Sequence, residues 1–369
     1  MKPSLLLLSS LLVILTTGNG ASEESLPGQA SVAIRSTPNG ILDGATLRWS
    51  SEEDITMKGP HDLHQLVLTL HESGATEDVT ASAGFAVEPA GVVSVSPTGL
   101  IRVIGNGSAT ITAKHAGSFL ARTVKVSQAK EQLPISFPNE IVPIFTRHGC
   151  NGGGCHGKAE GQNGFKLSLL GYEPQDDHNY LAREGLGRRI FRASPSHSLL
   201  LLKASGELPH QGGSRLTRGS DDYKTIVRWI RQGLPYGSEG DSPVTRISVE
   251  PRERLTSAKA VQQLRVVAHF DDGSSKDVTR IAQYEANDEE MAIVSDRGLV
   301  TMQERTGSAS VMIRFQEHVG VFRATIPLGA IHDKRIFCLR FNFEFHVPAI
   351  IVNGLKMNMM TNTRVIPLQ

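Results

Sequence analysis

At 369 residues the chain is long enough for two or three domains, each able to bury a core of its own. Its 38 basic and 37 acidic residues leave a formal net charge of +1, which gives no electrostatic reason to expect nucleic acid or an anionic membrane as partner.

The N-terminus has the three parts of a secretory signal. Lys2 supplies a basic start, Leu5 to Leu15 form an apolar run too short to span a bilayer stably, and the small residues Gly18, Gly20 and Ala21 follow. Residues 1–21 are therefore predicted to be a cleaved signal peptide and 22–44 a linker, which leaves no transmembrane span in the mature chain. The absence of a cysteine near the cleavage region argues against a lipoprotein. Export places the mature chain in the periplasm, on the cell surface or outside the cell, where covalent haem attachment is done and where a disulfide persists.

Next comes a segment, 45–127, that recurs later as 244–328. Gln65-Leu66 matches Gln263-Leu264, Gly74 matches Gly273, Asp78-Val79-Thr80 matches Asp277-Val278-Thr279, and Gly99-Leu100 matches Gly298-Leu299. Gly107-Ser108-Ala109 then matches Gly307-Ser308-Ala309 after one insertion, at an offset of about 199 positions throughout. Each copy alternates short β-rich runs with turn signals at Ser73-Gly74, Asn106-Gly107 or Asp272-Gly273, the pattern of a small β-sandwich. Farther along the strand, Arg314 of the second copy is read where the first has Ala113, a modest departure between the copies.

Between the copies, residues 133–237 change to helix-like spacing and glycine-rich loops. Ile141, Val142, Ile144 and Phe145 lie on one face of a short predicted helix. It leads into Cys150-Asn151-Gly152-Gly153-Gly154-Cys155-His156. Two thiols followed at once by an imidazole form the pattern of covalent haem attachment, with four residues between the cysteines where two are usual. Toward the end of the segment, Ser220 is placed to cap a helix that begins with Asp221 and Asp222, presents Tyr223, Ile226, Val227 and Ile230, and stops at Gly233.

The two copies resemble bacterial immunoglobulin-like domains of group 2, which implies spacer or adhesive modules. The central segment resembles a c-type cytochrome domain of large secreted proteins abundant in planctomycete bacteria. That resemblance rests on Cys150 to Gly157, on Asn163-Gly164-Phe165-Lys166-Leu167-Ser168-Leu169, on Gly187-Arg188-Arg189, and on the runs Pro195 to Lys203, Gly206 to Pro209 and Trp229 to Gly233. It implies one covalent haem c held through Cys150 and Cys155, with His156 as proximal iron ligand. Leu208 stands where such domains often carry a distal methionine, and no methionine lies between Met57 and Met291. His210, followed by Gly212 and Gly213, is the chosen distal ligand ahead of His178 and His197; a five-coordinate iron is the alternative. Arg188 and Arg189 are candidate contacts for the haem propionates.

Two other readings of the cysteines stay open. His148, Cys150, Cys155 and His156 are enough in number for zinc, and a Cys150 to Cys155 disulfide fits a glycine loop. Residues 331–369 depart from the family and read as an atypical, truncated or frameshifted tail, with a third thiol at Cys338.

The expected whole is multidomain: two all-β immunoglobulin-like sandwiches flanking a small, mainly α cytochrome c-like domain. Its expected function is an exported haem carrier for electron transfer or redox sensing, not an enzyme, with an unknown redox partner. The class-different alternative is a non-redox surface adhesion or scaffold protein, engaging a cell-surface or polysaccharide partner through its Ig-like modules.

Overall fold

The computed structural model describes residues 45–51, 53–72, 75–238 and 241–328. The signal peptide, the linker through residue 44, Gly74 and the tail with Cys338 lie outside them.

The first sandwich has ten strands: β1 (Thr46–Trp49), β2 (Ile55–Lys58), β3 (Leu63–Gln65), β4 (Leu68–Glu72), β5 (Ala75–Asp78), β6 (Gly84–Glu88), β7 (Val93–Val95), β8 (Leu100–Val103), β9 (Gly107–His115) and β10 (Ser118–Ser127). They form three small sheets, ordered β1-β4-β5, β2-β10-β9-β6 and β3-β8-β7, with β2 parallel to β10. Period-two alternation sends Ala109, Ile111 and Ala113 of β9 into the core, where Ile111 packs with Ile55, Met57, Ile101 and Val124.

The second sandwich repeats this plan strand for strand. Its strands are β11 (Val244–Glu250), β12 (Glu253–Leu255), β13 (Val261–Gln263), β14 (Arg265–Phe270), β15 (Ser275–Asp277), β16 (Gln283–Ala286), β17 (Ala292–Val294), β18 (Leu299–Met302), β19 (Gly307–Phe315) and β20 (His318–Ile326). The sheets are β11-β14-β15, β12-β20-β19-β16 and β13-β18-β17.

The repeated Asp-Val-Thr triplet does the same work twice. Asp78 Oδ1 accepts the Thr80 amide at 2.8 Å, and Asp277 Oδ1 that of Thr279 at 2.9 Å. Val79 and Val278 enter the cores. Thr80 Oγ1 accepts the Leu68 amide and Thr279 Oγ1 the Val266 amide, both at 2.8 Å, closing buried gaps in β4 and β14. Gly99 has φ +77°, and a Cβ there would lie 2.8 Å from Thr80 Cγ2, so the Gly-Leu match marks a position only glycine fills easily.

One register in the sequence alignment is corrected. β9 and β19 start at Gly107 and Gly307, so Ala113 corresponds to Ile313 and Lys114 to Arg314. Ala113 and Ile313 are both fully buried. A slip of one residue exchanges the faces of a strand, which is why Arg314 looked like a departure in the core.

The central segment packs against both sandwiches. It holds α1 (Val142–Arg147), entered from a π turn at Phe137–Ile141, then α2 (Pro174–Ala182), α3 (Leu199–Ala204) and α4 (Asp221–Arg231). Its core gathers Phe137, Ile141, Ile144, Leu167, Leu181, Leu201, Tyr223, Ile226 and Trp229. Ser220 Oγ accepts the Tyr223 amide at 3.2 Å, capping α4 as its sequence predicts. The expectation of a mainly α domain is corrected: the helices have 6, 9, 6 and 11 residues, and long loops rich in glycine join them. A cytochrome fold is therefore not shown, and the described chain is mostly β.

Replacing Thr80 or Thr279 by valine keeps shape but leaves a buried amide unsatisfied. Each variant should lose about 1–3 kcal/mol of stability in urea denaturation, while Thr→Ser loses less.

Candidate ligand pocket

The loop that follows α1 is tightly fastened. Cys150 N–H donates to Phe145 O at 2.8 Å, Cys155 N–H to Gly152 O at 2.9 Å, and His156 N–H back to Cys150 O at 3.0 Å. A Cβ at Gly157 would sit 1.9 Å from Asn151 O, so the glycine after the histidine is required by close backbone approach. Two residues before Cys150, His148 Nε2 lies 2.7 Å from Asp222 Oδ2, and Arg147 pairs with the same carboxylate. The Asp222 side chain is only 8% exposed, so α4 anchors the root of the loop by a buried ion pair.

The loop forms one wall of a cavity of about 650 Å³. Apolar side chains of α3 and α4, among them Leu200, Leu201 and Ile226, form much of the rest. All six residues singled out in the sequence line it: Cys150, Cys155, His156, Arg188, Arg189 and His210.

The imidazoles of His156 and His210 are nearly parallel, 11° apart, with ring centroids separated by 6.3 Å. His156 Nδ1 is 3.0 Å from Phe165 O, and His210 Nδ1 is 2.8 Å from Gly213 O. A carbonyl only accepts, so each ring donates from Nδ1, which leaves Nε2 as the nitrogen free of a protein partner among the described residues. Burial, foremost, holds the His156 imidazole below its ordinary pKa, with the nearby His210 adding to the effect, so the ring is a neutral donor at neutral pH. A Cβ at Gly212 would meet His210 Cε1 at 2.9 Å; that glycine makes room for the ring.

Supporting residues escaped sequence reasoning. Lys203 Nζ donates to Pro209 O at 2.9 Å and Arg215 Nε to Gly212 O at 2.6 Å, so two cations of the cavity wall hold the backbone on either side of His210. Arg189 is buried, donates to Tyr180 O, Glu184 O and Gly164 O, and lies 4.6 Å above the Phe165 ring. Its donors are engaged by backbone and by the Glu184 carboxylate at 3.3 Å, which makes it a brace for the stretch whose Phe165 carbonyl orients His156. Arg188 is exposed at the cavity. Basic residues flanking a glycine loop were the available signal, but spacing alone does not show which carbonyls they reach.

The other histidines are placed elsewhere. His178 packs edge-on against Phe137, Trp229 and Tyr236, with Nε2 2.8 Å from Leu234 O. His197 is exposed, and its Nδ1 lies 2.7 Å from Ser194 Oγ. Cys150 and Cys155 are both free thiols. Among the described residues, no group of three or more His, Cys, Asp and Glu side chains could hold a metal ion.

No family model and no curated protein matches the chain. Solved structures give weak likenesses. Domains 4-9 of the surface layer protein SbsC align over 79% of this chain and 32% of theirs, at 10% identity and a TM-score of 0.31. Domains 5-6 of the same protein align over 78% of this chain and 99% of theirs, at 11% identity and 0.30. A titin immunoglobulin tandem aligns over 76% and 96%, at 7% and 0.16. The chain spans about a third of the first of these, and all are surface-layer or immunoglobulin-type structures rather than enzymes. Likeness at these scores carries no functional argument.

These findings correct the assignment drawn from motifs. The chain is not placed in the family of secreted planctomycete cytochrome proteins with group 2 immunoglobulin-like domains. Nor are the names cytochrome and iron protein attached to it, since no family model and no cluster of metal-binding side chains among the described residues supports them.

The Cys150 thiol is pushed up to about 12, chiefly by burial and secondarily by Cys155. A raised folded-state pKa contributes stability below the unfolded thiol value of about 8.5, and that contribution is lost as pH rises toward 12. At pH 8 iodoacetamide should therefore alkylate Cys150 about a thousandfold more slowly in the folded protein than in urea, read by mass spectrometry.

Proposed function

We propose that this chain is an exported, non-catalytic surface scaffold built on two immunoglobulin-like sandwiches, with a cell-surface or polysaccharide partner. The observation that carries this reading is the duplicated ten-strand plan with the central segment packed on both copies. Such paired β modules serve to hold and space surfaces. Among the described residues no helix is long and apolar enough to cross a membrane. The reading is tested by expressing the chain with and without residues 1–21 in a bacterium and fractionating the cells. The full chain should reach the periplasm or surface and the shortened one should stay inside; equal distribution would sink it.

A second reading concerns the pocket, and the parallel histidine pair favours it: Cys150 and Cys155 would hold one haem covalently, and His156 and His210 would ligate its iron. Metal–imidazole bonds run about 2.0–2.1 Å, so two rings sharing one ion from opposite sides have centres roughly 6 Å apart. The 6.3 Å separation fits, as do two rings whose Nδ1 atoms are held by backbone carbonyls and whose Nε2 atoms are not. A macrocycle brings four nitrogen donors of its own, so two protein ligands suffice. Haem bound there would supply a one-electron redox centre. The protein's part is to fix both tautomers, exclude water with Leu200, Leu201 and Ile226, and offer Arg188 to an anionic edge. If the pocket takes no haem, a Cys150 to Cys155 disulfide is the outcome left, since His148, the fourth zinc candidate, is held on Asp222.

The deciding measurement is a pyridine haemochrome spectrum on protein exported alongside a covalent haem-attachment system. An α band of a haem with both vinyls saturated is expected, lost in Cys150→Ser/Cys155→Ser. His210→Ala should convert the low-spin spectrum to high-spin. A colourless wild type overturns the pocket reading and leaves the scaffold reading standing.

A further inference from the structure

The two sandwiches touch through the residues that the repeat duplicates, and the contact is reciprocal. Gln65 N–H of β3 donates to Asp277 Oδ2 at 2.8 Å, and Gln263 N–H of β13 donates to Asp78 Oδ2. Gln65 is the repeat counterpart of Gln263, and Asp78 that of Asp277, so each contact is the other turned about a pseudo-two-fold axis. Gln262 Nε2 adds a bond to Asp78 Oδ2 at 3.0 Å. Arg280 Nη2 reaches Gln65 Oε1, and Arg254 Nη2 reaches Thr69 Oγ1, each at 3.1 Å.

The strands involved share one property. β3 and β13 each end a three-stranded sheet, and so do β5 and β15, which carry the two aspartates. An edge strand presents unpaired backbone groups and invites another chain to pair with it. Here each sandwich covers an edge amide of the other with a carboxylate, in a charge-assisted bond. Gln65, Gln262 and Gln263 are all nearly fully buried there, with their side-chain amides bonded. An interface in which residue i meets j while j meets i is isologous, the kind that joins two copies of one protein.

We propose that the face built from Gln65 and Asp78, together with its copy at Gln263 and Asp277, is a self-recognition surface. It is closed within one chain and able to accept the second sandwich of another copy in exchange. Covalent linkage gives the internal pairing an effective concentration near the millimolar range, which keeps the single chain closed. Once the linkage is cut or strained, the partner chemically suited to the exposed face is the same face on a second molecule. This inference is independent of what the pocket holds.

The test uses the full chain with a protease site placed between Ser238 and Asp241. After cleavage the two fragments should co-elute as one complex at micromolar concentration. Mixing two cleaved preparations with different tags should yield mixed-tag complexes. Asp78→Lys with Asp277→Lys should weaken the complex by at least about tenfold, since both charge-assisted bonds are lost and a cation is set against each facing amide. Asp78→Asn with Asp277→Asn is the milder pair: each Asn retains Oδ1 for its own turn but sets an N–H donor against the facing Gln amide. It should weaken the complex in the same direction with circular dichroism unchanged. Fragments that separate on cleavage while both stay folded, complexes that never exchange tags, or affinities untouched by either pair would each overturn the proposal.

Discussion

An aspartate has two oxygens, and the described chain turns on what its two equivalent aspartates do with them. In each sandwich Oδ1 closes the local turn onto the threonine two residues on, while Oδ2 satisfies an edge amide of the other sandwich. Neither task is optional. Without the first, the threonine hydroxyl is not aimed at the Leu68 or Val266 amide; without the second, two sheet edges lie open. The link continues into the pocket. Arg280, whose guanidinium reaches Gln65, offers its carbonyl to Arg147, which shares the buried Asp222 carboxylate with His148, two residues before Cys150. Sandwich pairing and pocket geometry are thus parts of one connected polar network.

Inside the pocket the logic is one of neutral groups held still. Burial keeps the Cys150 thiol protonated and lowers the His156 imidazole from its ordinary pKa, so both groups are favoured in their uncharged forms. Charge is confined to side chains that grip backbone carbonyls, Lys203, Arg189 and Arg215, or lie exposed, as Arg188 does. A wall of this kind favours a large, mostly apolar occupant with an anionic edge. It gives little help to a small hydrophilic one, which would have to leave water for leucine and isoleucine.

How much of this was legible in the sequence depended on range. Ser220 as a helix cap, and Asp-Val-Thr as a recurring unit, follow from chemistry within three residues and were readable. The β9 to β19 register slips one place too far in the sequence alignment, because the runs Thr110 to Lys114 and Ser310 to Arg314 share no side-chain identity that would pin it beyond Gly107-Ser108-Ala109. The reciprocal contact was invisible, since Gln65 and Asp277 stand far apart in the chain and Asp78 already looks fully employed in its own turn. Arg189 suggested a partner for haem propionates, yet its guanidinium bonds three backbone carbonyls and pairs with the Glu184 carboxylate at 3.3 Å; which acceptor a long side chain reaches is set by the fold around it. The helical content was overstated because it rested on two short helices, before Cys150 and after Ser220, and on the resemblance, whereas the glycine-rich stretches between them fold mostly as loops and turns.

The gap between motif and family has a physical source. A pocket of this type constrains few positions: two thiols, two rings, the glycines that let backbone approach Asn151 and His210, and carbonyls that any residue supplies. Everything else need only fill volume and cap edges, which many sequences do. Such a constellation can therefore be complete in a chain that no family model matches, and its chemistry must be argued from its own distances. The converse also holds. The ligands, partners and further domains of a family travel with surfaces that a motif does not specify, so the six residues lining the cavity license a claim about the cavity and nothing beyond its walls.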